Sequence, residues 1–384
     1  MNNRKYYFFC LALLFILAPL KALSLGDIFY LTSSGFLIKL DINQVAETGQ
    51  IAAGTLPWGI TSYKGHIYFT DFGTDQVYDF SPSDKVINKV TLESNLNELA
   101  IRNVDIYSKE LENAKKISNI EKVFSKVIKP KPKPAKLEEQ PLAIALHNKK
   151  LGLGSIDCND KYVFVVSTLK NKVYVLTREK LELIATLTVG ERPYAVSVSP
   201  SGNLIAVSSI GLNRVHVISA NDDFKKVADV VVDEGPTDIS WLSNDSIAVL
   251  NRGQGSVSVI SAAGNKVLGK ADFGSPVSTM TYSKEQDKLF VLEGNERKLF
   301  VVDPLSFTFD TKPINEDLKF ANLLLPLPDN KLLIGSEPDG RFVLMNTQDY
   351  SSIKKIQTNL LPKSILYIPS DEESLPKPIA KKDE

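Results

Sequence analysis

The sequence predicts an all-β protein folded as a seven-bladed β-propeller closed by its last strand. Three observations predict it. The first is a repeat of roughly 40–45 residues, the size of a four-stranded propeller blade. GERPYAVSVSPSGNLIAVSSIGLNRVHVIS (Gly190–Ser219) is followed by EGPTDISWLSNDSIAVLNRGQGSVSVIS (Glu234–Ser261), then by GSPVSTMTYSKEQDKLFVLEGNERKLFVVD (Gly274–Asp303). The second is alternation inside each unit. VYVL, VHVI, VSVI and LFVV place apolar side chains at every other position, as strands between packed sheets require. The third is a split unit. Gly26–Ala52 reads as strands two to four of a blade with no first strand, and Lys363–Ser370 reads as a lone first strand. Joining the two ends completes a blade and removes two sheet edges.

Taken in order, residues 1–24 read as a secretory signal. Arg4 and Lys5 start it, Tyr6–Leu20 form its apolar core, and Ala22-Leu23-Ser24 is a small-x-small cleavage site. A retained anchor is the competing reading, opposed by Pro19 and Lys21, which break a run too short to span a bilayer. The propeller then runs over 25–370. Its second blade is carried by Gly54–Ser81, its third by Leu153–Thr177 and its seventh by Asp317–Asn346. Ser-Gly, Asn-Asp, Gly-Gln-Gly and Asp-Gly turns between the runs supply the positive φ that tight hairpins need.

Residues 93–140 interrupt the repeat between the second and third blades. Leu111, Ala114, Ile117, Ile120, Val123, Phe124 and Val127 fall at helical spacing, and KPKPKPAKLEEQP follows as an extended, solvated stretch. The segment reads as a flank helix with a linker, or as a docking arm for a partner protein. Residues 371–384 have few apolar side chains and two prolines, and read as a disordered tail.

Composition narrows the function. The chain has 384 residues with 45 basic and 45 acidic side chains, so broad electrostatic capture of nucleic acid is not expected. Cleavage after Ser24 removes Cys10 and leaves Cys158 as the single thiol, so the fold stands without internal disulfides. Cys158 itself reads as a small buried apolar residue. Three histidines, His66, His147 and His216, show no paired spacing for zinc. No P-loop, Gly-x-Ser-x-Gly elbow or CxxC occurs.

FVVS (Phe164–Ser167), AVSS (Ala206–Ser209), AVLN (Ala248–Asn251) and FVLE (Phe290–Glu293) are each followed by a strand of the x-V-x-V-I kind. In these strings the chain resembles the YVTN-type β-propeller repeat family, although the literal Tyr-Val-Thr-Asn never occurs. NHL-like and lactonase-like propellers are neighbouring groups. The resemblance implies an exported protein, periplasmic or extracellular, and does not imply a reaction.

Two functional expectations follow. A propeller gathers equivalent positions of all blades at one channel mouth. Trp58 and Tyr194 follow anchor prolines, and Arg192 and Arg252 lie in the loops of the same rim. Aromatic and arginine side chains at a concave mouth are binding anchors, so the first expectation is a monomeric binding or scaffold module with a protein or small-molecule ligand at the rim, no cofactor, and no membrane anchor once the signal is cleaved. The second is a metal-dependent, lactonase-like hydrolase. Asp71, Asn251 and Glu293 would hold Ca²⁺ or Mg²⁺ through oxygen ligands, with Asp238 and Asn322 as the catalytic residues; Glu337 lies at the equivalent loop position of a further blade. The same residue types also serve as ordinary turn and rim residues. Trp241, in an alternating run, reads as core.

Overall fold

In the computed structural model of the protein, the described residues are 26–92, 102–105, 151–221, 223–314, 318 and 320–370. The signal at 1–24, the helical spacing at 111–127 and the tail at 371–384 lie outside them. The described residues contain no α-helix and form seven sheets, antiparallel except for one added edge strand, as a seven-bladed propeller.

The sequence pattern explains where each strand lies. Second and third strands sit between neighbouring sheets and are apolar almost throughout: Leu204–Ser209 and Arg214–Ser219 are buried along nearly their whole length. Outer strands face water on one side and are accordingly mixed, as in Val267–Asp272. Inner strands line the channel and are half-buried. For blades one to seven they are Pro362–Ile368, Pro57–Tyr63, Leu153–Cys158, Pro193–Val198, Pro236–Trp241, Thr279–Ser283 and Leu323–Leu327. Each contacts the next, and the seventh contacts the first.

Blade one has the order Pro362–Ile368, Asp27–Thr32, Phe36–Asp41, Ala46–Ala52. Its inner strand comes from the far end of the chain and pairs antiparallel with Asp27–Thr32, Tyr30 opposite Ile365. Glu47 ties this sheet to the chain that returns to it. It accepts the Tyr30 hydroxyl at 2.5 Å and both the backbone and side-chain N–H of Asn359 at 2.9 Å.

The core is divided among the blade interfaces. Seven apolar clusters lie between consecutive blades. One joins Phe164 and Val175 of blade three to Ile205 and Val207 of blade four; another joins Leu333 and Phe342 of blade seven to Tyr30 and Ile38 of blade one. Truncating one such side chain to alanine typically costs about 2–5 kcal/mol. Trp241 and Cys158 are buried, as their patterns predict.

One turn position recurs in every blade. The residue before the third strand is left-handed in all seven: Gly35, Asp75, Asn171, Asn213, Gly255, Arg297 and Gly340 have φ between 52° and 90°. Glycine and Asx residues suit it; Arg297 does not. Where the residue is Asx, its side chain also straps the next blade. Asp75 Oδ1 accepts Leu151 N–H at 3.0 Å, Asn171 Oδ1 accepts Arg192 N–H at 2.9 Å, and Asn213 Oδ1 accepts Gly235 N–H at 3.0 Å.

The interruption at 93–140 contributes one strand that the sequence reading missed. Arg102–Asp105 pairs in parallel with Leu183–Thr188 and becomes a fifth strand on the outer edge of blade three. An outer edge presents unpaired backbone groups that any extended segment can use. Four residues carry too little periodicity to announce it.

Candidate functional site

A cavity of about 530 Å³ opens at the channel end where the inner strands begin. All seven blades line it, through Ser364, Trp58, Ile156, Tyr194, Asp238, Met280 and Leu323 among others.

Backbone geometry aims four of these side chains. Pro362, Pro57, Pro193 and Pro236 each stand opposite the last residue of the second strand of their blade, Thr32, Asp71, Ser209 and Asn251. In all four blades the register between these strands shifts beside that pair. Proline cannot donate to the ladder, and a bulge re-aims its neighbours. The residue following each proline, Lys363, Trp58, Tyr194 and Thr237, therefore faces the cavity. The sequence reading found Trp58 and Tyr194 in this way and missed Thr237 and Lys363. The Pro-x signal was present for both.

The charged groups of the cavity differ in how they are held. Lys363 Nζ lies 4.5 Å from the centre of the Trp58 ring and 3.5 Å from Glu337 Oε2. Glu337 also accepts Ser33 Oγ–H at 3.0 Å and Asn322 Nδ2–H at 3.4 Å, while its own N–H donates to Asn322 Oδ1 at 3.0 Å. Asp238 Oδ2 accepts Thr279 Oγ1–H at 2.9 Å and Met280 N–H at 3.1 Å, both from blade six. Burial raises its carboxyl above the ordinary range against these hydrogen bonds. Arg252 is exposed and makes no ion pair among the described residues. The Tyr194 phenol is raised by burial and then by the charge of Asp238, so it stays a neutral donor.

Two hydroxyls lie behind the lining: Thr237 Oγ1 and Ser364 Oγ belong to lining residues but are shielded from solvent, and neither has a hydrogen-bond partner among the described residues. Such orphans are rare and expensive in folded proteins.

The sequence-predicted residues divide clearly. Trp58, Tyr194, Arg252, Asp238, Asn322 and Glu337 are brought together. Arg192 is not: it is an exposed rim residue in the left-handed region, strapped through its N–H to Asn171. Asp71, Asn251 and Glu293 do not line the cavity either. Asp71 is buried and accepts Thr55, Leu56 and Gly73 N–H groups at 2.7–2.9 Å, together with the Thr74 hydroxyl. Asn251 donates to Ser256 and Ser258, and Glu293 accepts the Glu296 N–H. Their positions are equivalent by repeat, yet each side chain is turned into its own blade. Among the described residues, no group of three or more His, Cys, Asp or Glu side chains is placed to hold a metal ion.

No protein-family model matches the sequence, and no curated relative does. Solved structures do resemble it. A functionally unknown protein from Desulfotomaculum acetoxidans superposes with a TM-score of 0.62 at 13% identity, over 90% of this chain and 99% of that one. The dihydro-heme d1 dehydrogenase NirN gives 0.59 at 12% identity, over 91% and 76%. Virginiamycin B lyase from Staphylococcus aureus gives 0.58 at 14% identity, over 82% and 92%. At these identities the likeness shows the fold, a seven-bladed propeller, and assigns no chemistry.

Proposed function

We propose that this protein is an exported binding module whose ligand enters the cavity at the channel mouth. The observation that carries the reading is convergence. Trp58, Tyr194 and Arg252 come from three separate blades to one concave space of about 530 Å³. A concave space where aromatic side chains and a few polar groups converge is a usual form of a ligand pocket. Fold alone cannot select an activity, since the similar structures include a lyase and a dehydrogenase. The pairing of Pro362–Ile368 with Asp27–Thr32 supports the further reading that the last strand locks the ring around this cavity. Export rests on residues 1–24 and is tested by N-terminal sequencing of the protein recovered from the cell envelope or medium.

The test of binding is a thermal-shift screen of the full chain against a small-metabolite collection, followed by Trp58→Ala and Tyr194→Ala. Each change is expected to weaken a hit by more than about tenfold, because aromatic anchors in desolvated sites contribute about 2 kcal/mol or more. Loss of several degrees of melting temperature with unchanged binding would make these rings blade packing instead.

A further inference from the structure

We propose that the ligand is a small zwitterion, its ammonium received by Asp238 and its carboxylate by Arg252. This rests on the reading of the mouth as a binding site and names the charge pattern that site selects.

The charges of the lining support it. Four charged side chains line the cavity: Asp238, Arg252, Glu337 and Lys363. Lys363 and Glu337 answer each other at 3.5 Å. Asp238 and Arg252 form no ion pair, with each other or with any other described residue. Asp238 is held by uncharged donors of blade six, Thr279 Oγ1–H at 2.9 Å and Met280 N–H at 3.1 Å. Arg252 is exposed at the mouth. One negative and one positive group are thus left over in the same lining. Burial disfavours the Asp238 charge, and an ammonium alongside it is the partner that favours it. Guanidinium presents a planar fork of donors that matches a carboxylate.

The backbone sets the spacing. Both groups belong to blade five, on neighbouring strands of one ladder. Asp238 stands opposite Leu250 and Pro236 opposite Asn251, with the bulge at Thr237 between them. Arg252 follows Asn251, and its N–H donates to Gly235 O at 2.8 Å. On its strand Arg252 lies two residues beyond Leu250, a displacement of about 7 Å along the blade. One molecule bearing an ammonium and a carboxylate can reach both side chains. An anion leaves Asp238 unanswered, a cation leaves Arg252 so, and a neutral ligand leaves both. Trp58, Tyr194 and Phe320, from well-separated stretches of chain, bring aromatic surface to the same cavity for the rest of the ligand.

The experiment uses isothermal titration of the full chain at neutral pH with three probes of one shape: L-phenylalanine, 3-phenylpropanoate, which lacks the ammonium, and 2-phenylethylamine, which lacks the carboxylate. Phenylalanine should bind more than about tenfold tighter than either. The variants should give a crossed pattern. Arg252→Gln should reduce phenylalanine to the level of the amine and leave the amine unchanged. Asp238→Asn should reduce it to the level of 3-phenylpropanoate and leave that anion unchanged. Melting temperatures should show both variants folded. Phenylalanine that binds no tighter than a single-charge probe, that keeps its affinity in either variant, or that fails to bind at millimolar concentration overturns the inference. If a single-charge probe binds instead and loses affinity in Trp58→Ala, the mouth remains a binding site with a different charge rule. If Trp58→Ala, Arg252→Gln and Asp238→Asn leave every probe unchanged, the binding site itself is refuted.

Discussion

The rim and the channel of this propeller use the same residue types to opposite ends. On the rim, Asp71 accepts three backbone N–H groups and a hydroxyl, and Asp75, Asn171 and Asn213 each hold the entry to the next blade. In the channel, neither Arg252 nor Asp238 has an ion-pair partner and neither the Thr237 nor the Ser364 hydroxyl has a hydrogen-bond partner among the described residues, and burial raises the Asp238 carboxyl. The difference teaches where function can reside. A carboxylate saturated by its own loop is part of the frame, whatever its position in the repeat. A side chain such as Arg252, exposed at the cavity and not tied up by an ion pair among the described residues, is open to a ligand.

The largest expected effect tests whether the inner ring or the rim straps hold the fold. Removing residues from Lys363 onward leaves the straps intact, deletes an inner strand and exposes edges on blade one. Loss of the cooperative thermal transition, or aggregation, is expected. A truncated chain that stays monomeric with an unchanged midpoint would show that the straps suffice.

Asp71→Ala should come next. It leaves three backbone donors without their acceptor, each worth about 1–3 kcal/mol when unsatisfied, so about 3 kcal/mol or more should be lost in urea unfolding. Asp71→Asn keeps an acceptor and should lose less. A change within about 0.5 kcal/mol for Asp71→Ala would remove the rim from its structural role.

Asp238 is predicted to behave in the reverse sense. Its folded pKa is raised from 3.8 by burial. The stabilising difference is therefore full below the unfolded value and is lost as pH rises through the folded one. Above the unfolded value the buried carboxyl carries an energetic cost, which Asp238→Asn relieves while keeping an acceptor for Met280 and Thr279. The variant should melt at or above the wild-type temperature at neutral pH, with its advantage shrinking as pH falls towards the unfolded pKa. A large loss at neutral pH would place Asp238 with the frame.

The smallest effect concerns Arg297, which adopts φ 57° where other blades use Gly or Asx. A left-handed non-glycine residue costs about 1–2 kcal/mol, and asparagine less, so Arg297→Asn should raise stability by about 1 kcal/mol at most. A lower midpoint would mean that the arginine side chain contributes more than its backbone conformation costs.

Much of this was legible in the residues. Recurrent Gly-x-Pro openings, alternating apolar runs and the split first unit predict seven blades, because strand period and repeat period are both local properties of sequence. Trp58 and Tyr194 were legible through the anchor prolines, which pair at a strand end beside a bulge. Thr237 and Lys363 obey the same rule, but a threonine and a lysine look ordinary without the cavity they face. The parallel strand Arg102–Asp105 left no trace, since edge pairing needs extended backbone and no particular side chains. Asp71, Asn251 and Glu293 looked equivalent to cavity residues because a repeat aligns positions along the chain. Whether a side chain turns into its own loop or into the channel depends on the local register of strands and on the donors nearby. The sequence by itself determined the blade, its period and the number of its copies, all of which follow from short-range pattern. The tertiary structure alone decided which polar groups of those blades were saturated and which were left facing the channel, because that depends on groups brought together from seven separate stretches of chain.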